Sequence, residues 1–171
     1  MKKLFNNKRG DSASILIMIL VVFTLAVGGI LGVKVMNEMF GEMKAMPEIN
    51  QSNNTMDALD TIQDNAVNWI DFLFFFSIVA TIIGLIISSM YIDVPPALAM
   101  VFIIGLIVAI FVAGQLSNVF AEFSQTSEIS ATANQFSMMQ LIMPILPFLI
   151  LGVGIMVGII IYGKPRGVGG I

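Results

Sequence analysis

Glu38 and Glu42 stand one helical turn apart, the spacing at which two carboxylates on one helix face can share a metal ion. They have no third ligand to work with. The chain contains no His and no Cys, which removes imidazole ligands, thiolates and the commonest general base together. A solvated helix face is the simpler account of the pair. Met36, Met39 and Met43 offer thioethers of the kind that bind soft metals, but the same spacing suits flexible apolar side chains packing against a neighbour. Asp71 lies at the edge of an apolar run, where a helix-start carboxylate meets the helix dipole. Asp93 belongs to the turn Tyr91-Ile92-Asp93-Val94-Pro95-Pro96, and turn chemistry explains it. There is no phosphate-cradling glycine loop, no nucleophile beside a base, and no paired carboxylates on an apolar face. The residues therefore predict a protein that is not an enzyme, with no metal, no cofactor, no small-molecule substrate and no nucleic acid.

The elements that would position these residues are set by apolar length. Of 171 residues, 57% are hydrophobic and only 11% charged, far from a soluble average. Residues 12–33 form an apolar run long enough to cross about 30 Å of hydrocarbon. It is longer than a signal-peptide core, so an uncleaved anchor is expected. Helical spacing continues through Met36, Met39, Phe40 and Met43 until Pro47, followed by a polar, Asn-rich reversal. A second stripe, Met56, Leu59, Ile62, Ala66, Trp69 and Ile70, leads into a span over about 70–90, with Asp57, Asp60 and Asp64 opposite. Trp69 is placed as an interfacial anchor. The turn 91–96 reverses the chain, since two prolines end one helix and can begin the next. Spans over about 97–115 and 138–162 follow, separated by the polar stretch 116–137. Pro144 and Pro147 are expected to kink the last span and free carbonyls.

The predicted fold is all-α and integral to the membrane, with four transmembrane helices. They make two antiparallel hairpins, 12–90 and 97–163, whose helical ends, 34–69 and 116–137, project on one side. A basic head, 1–11, and a basic Gly-rich tail, 164–171, flank them. Lys2, Lys3, Lys8 and Arg9 precede the first span and Lys164 and Arg166 follow the last, against Lys34 and Lys44 in the connections. That bias places both termini on the cytoplasmic or inner side of a cell or virion membrane. Asn50-Gln51-Ser52 and Asn53-Asn54-Thr55, matching a glycosylation pattern common by chance, then lie outside. The spans carry no charge at mid-depth, which argues against an ion-coupled transporter or pump.

Each span has small residues four apart, the spacing that lets helices approach closely where lipid supplies no hydrophobic drive. These are Gly28 and Gly32, then Ala80, Gly84 and Ser88, then Gly105, Ala109 and Ala113, then Gly154 and Gly158. The predicted partner contacts lie on the projecting ends: Met36, Met39, Phe40, Met43, Met56, Leu59 and Ile62.

Two resemblances follow from short segments. Lys8-Arg9-Gly10-Asp11-Ser12-Ala13-Ser14 resembles the processing site of type IV pilin precursors, without the glutamate five positions after the glycine and with three further spans that do not suit a pilin. Leu116-Ser117-Asn118, Glu122-Phe123, Ala133-Asn134-Gln135-Phe136, Pro144-x-x-Pro147 and the closing Tyr162-Gly163-Lys164-Pro165-Arg166-Gly167 resemble small multi-pass membrane proteins of bacterial and archaeal viruses. That resemblance implies a structural or scaffold protein of a virion membrane, a homo- or hetero-oligomer contacting capsid or other membrane proteins. Size, span number and the basic tail also fit a holin-like pore or lysis protein. An accessory subunit of a larger membrane complex is the third expectation.

Overall fold

Long helices dominate because apolar runs in lipid must satisfy every backbone polar group internally. A computed structural model describes residues 11–91 and 98–163 of the chain. The basic head with Gly10, the turn residues Asp93, Pro95 and Pro96, and the basic tail lie outside the described residues. In chain order the elements are α1 (Asp11–Ala45), α2 (Pro47–Asn50), α3 (Asn53–Met90), α4 (Ala99–Ser124), α5 (Ser130–Ala133) and α6 (Ser137–Tyr162). Among the described residues there is no strand. Helices α1, α3, α4 and α6 are long and apolar enough to cross a membrane, the build of an integral membrane protein.

Length separates these four into two classes. With 26 residues each, α4 and α6 extend about 39 Å, a membrane crossing with little to spare. With 35 and 38 residues, α1 and α3 extend about 52 and 57 Å, well beyond the hydrocarbon layer. The end of α1 is fixed locally. Met46 is extended, at φ −68° and ψ 130°, the conformation favoured before proline, and Pro47 then opens α2. Helix α6 continues through Pro144 and Pro147, leaving the carbonyls of Gln140 and Met143 without their usual donors.

The core is built on α6. Phe136, Met139, Met143, Leu146, Ile150, Val153 and Val157 are buried at alternating three- and four-residue steps, with Ile161 four further on, a seam of the kind that packs neighbouring helices at small angles. Helix α1 answers with Ile15, Ile19, Val22, Ala26, Ile30 and Val33. Helix α6 packs on α3 and α4, and α1 packs on the same two, so the order around the bundle is α1, α3, α6, α4. Helices α3 and α4 are consecutive in sequence but lie across the bundle from each other. Large apolar side chains such as Met100, Ile104, Phe111 and Phe148 point outward, as lipid-facing residues do.

One expected stripe is out of phase. On the projecting part of α3, Leu59 and Val67 are buried and Met56, Ala66 and Ile70 half-buried, but Ile62 and Trp69 are 53% and 64% exposed. The position facing α1 between Leu59 and Ala66 is held by Gln63, a polar residue, because the seam there is hydrogen-bonded rather than apolar.

Candidate interaction surface

Charged and polar side chains gather where the four-helix core gives way to the extended ends of α1 and α3. Helix α6 begins there with Phe136 at its N-cap, a side chain that cannot accept a hydrogen bond. The missing acceptor comes from α3. Asp71, only 6% exposed, accepts hydrogen bonds from the Met138 N–H at 2.8 Å, the Met139 N–H at 3.1 Å and the Ser137 hydroxyl at 3.2 Å. These satisfy the orphan donors of the first turn and set a negative charge against the positive end of the α6 dipole. Three donors offset the desolvation that an isolated buried carboxylate would suffer. Asp71 thus meets a helix dipole, as its sequence position suggested, but not at the start of its own helix: α3 begins at Asn53, and the helix served is α6.

Above this level, α1 and α3 are tied by polar side chains. Lys44 pairs with Asp60 and donates to the Gln63 side-chain oxygen at 3.2 Å, and the Gln63 amide donates to Asn37 at 2.8 Å. Lys34 lies 3.7 Å from Glu38 on its own helix and 3.7 Å from Glu128 in the connection between α4 and α6. Such exposed pairs contribute about 0–1 kcal/mol each, so they set register more than stability. Glu38 is therefore engaged with Lys34, and Glu42 is exposed. Among the described residues no three acidic groups converge as metal ligands would.

The expected partner-contact residues divide. Met39 and Ile62 are 59% and 53% exposed and free to meet another protein. Leu59 is buried, and Met36, Phe40, Met43 and Met56 are half-buried. Sequence spacing did not single out Val35, 56% exposed and one turn before Met39 on α1, or Met46, 52% exposed just beyond the end of α1. A helix opening on Phe136 with no acid in its first turn needs an acceptor from elsewhere, and nothing in the sequence names Asp71 as that acceptor.

The small residues also divide. Ala109 and Ala113 are fully buried on α4. A Cβ at Gly154 would come within 2.2 Å of Leu106, and one at Gly158 within 3.2 Å of Phe102, so α4 side chains fill the spaces these glycines leave. Gly105 is half-buried. Gly28, Gly32 and Gly84 have nothing within 4 Å of an added Cβ, and Ala80 and Ser88 are exposed, so these five do not pack helices within the chain. The close approach on α1 is at Gly29 instead, where a Cβ would meet Ile70 at 3.0 Å and Met139 at 3.1 Å.

No protein-family model, characterised protein or solved structure matches this chain.

Proposed function

We propose that this is a non-enzymatic structural or scaffold protein of a membrane, which holds partner proteins through the extended ends of α1 and α3. In this reading the spans form two antiparallel hairpins, with both termini on the inner side and the connections between α1 and α3 and between α4 and α6 outside. The pairs Gly29 with Ile70, Asn37 with Gln63 and Lys44 with Asp60 run in opposite sequence directions, which supports an antiparallel α1 and α3. The Lys34 to Glu128 pair supports placing the two connections at one end.

The observation that carries the reading is the surplus length of α1 and α3, cross-tied at Lys44, Gln63 and Asn37 and bearing exposed Met39 and Ile62. A tied pair of rods presenting apolar side chains to water is a contact surface in search of a partner. A virion membrane, as the second-half resemblance implies, makes that partner a capsid protein. A pore-forming protein has no use for such rods. Expression in a bacterial host under a membrane-potential dye separates the two. The scaffold accumulates with the potential intact, and an abrupt collapse would replace it with the holin-like reading.

A further inference from the structure

Between α1 and α3, within the part of both helices that crosses hydrocarbon, runs a groove of about 770 Å³. Leu25 and Gly28 form one wall and Ser77 and Ala80 the other, with Phe74 and Met139 among the lining. Phe74 and Met139 are core residues, so the groove reaches the heart of the bundle. It stops where Gly29 closes on Ile70 and Met139, at the level of the Asp71 cap.

Three observations say what fills it. The first is length: from Ile70 to Thr81 α3 rises about 16 Å, close to the depth of one leaflet, half of about 30 Å. The second is continuity with the lipid-facing belt, since Leu25, Leu73 and Phe76 on its rim are 43%, 56% and 58% exposed. Hydrocarbon is the solvent here, and an apolar groove open to it gains dispersion contacts by admitting a chain. The third is charge. Glu42, Glu48, Asp57 and Asp64 stand on the extended ends above, in addition to Glu38 and Asp60, which are paired with Lys34 and Lys44. An anionic headgroup is repelled from that end, and a zwitterionic one is not.

We propose that the α1/α3 groove is a binding site for one acyl chain of a zwitterionic phospholipid, in the leaflet bordering Asp71. The proposal rests on the four helices crossing a membrane and not on the scaffold role. Two of the five small residues that pack no helix within the chain, Gly28 and Ala80, gain a use here, because they keep the groove open.

The test uses the full chain in vesicles of phosphatidylcholine and phosphatidylglycerol in equal amounts, with a diazirine-bearing phosphatidylcholine as probe and mass-spectrometric mapping of adducts. In the wild-type chain, adducts concentrate several-fold on Leu25, Gly28, Ser77 and Ala80 over the more exposed face of Ile104, Ile107 and Phe111 on α4. Gly28→Leu and Ala80→Phe, which fill the groove from opposite walls, each abolish that excess. The phosphatidylglycerol analogue labels the groove several-fold less. Even labelling of both faces in the wild-type chain overturns the site. Cross-links from groove residues to a second copy of the chain, with no lipid adducts, assign the groove to an oligomer contact and equally overturn it. Equal labelling by the two probes overturns the headgroup preference.

Discussion

The two seams that α4 makes with α6 and that α1 makes with α3 begin from the same sequence device and end differently. Both carry small residues four apart. On the α4/α6 seam, Leu106 sits over Gly154 and Phe102 over Gly158. On the α1/α3 side, Gly28, Gly32 and Gly84 face open space, and the seam is held instead by Gly29 and by polar ties beyond the membrane. A small residue brings helices together only when a facing side chain fills the space it leaves. Without one it makes a groove.

Four substitutions break or sharpen that contrast. Asp71→Ala should have the largest effect, since it strips α6 of its cap and leaves buried N–H groups unpaired. A loss of about 2–3 kcal/mol is expected, read as an earlier midpoint of unfolding in an SDS titration from mild detergent. Gly154→Leu forces an extra side chain into Leu106 and should destabilise by about 1–3 kcal/mol in the same titration. Lys44→Ala removes the tie to Asp60 and Gln63. It should cost under about 1 kcal/mol and show mainly as faster hydrogen exchange over 37–63. Gly28→Ala should leave the midpoint within about 0.5 kcal/mol of wild type, because its Cβ meets nothing. Equal losses at Gly28 and Gly154 would erase the distinction between the seams.

The four spans were legible because length and apolar content decide them, and Pro47 marks the end of α1 without tertiary knowledge. Rotational phase was not legible. A helix apolar all round offers no contrast between a lipid face and a protein face, so Gly28 and Gly29 look alike in sequence although only Gly29 is in close contact. On the extended part of α3 the contrast exists, with Asp57, Asp60 and Asp64 opposite the apolar stripe, but the seam there is hydrogen-bonded, so Gln63 rather than Ile62 faces α1. Asp71 could be recognised as a partner for a helix dipole. That the dipole belongs to α6, 66 residues further along at Ser137, is a tertiary fact no local pattern carries.

The central claim is that both wet connections emerge on one side of the membrane. Asn54→Cys, before the main length of α3, and Ser127→Cys, between α4 and α6, introduce the only thiols in the chain. In intact cells or sealed vesicles, an impermeant maleimide should label both from the same side and to the same extent. Labelling of one from outside, with the other reacting only after permeabilisation, would contradict the account.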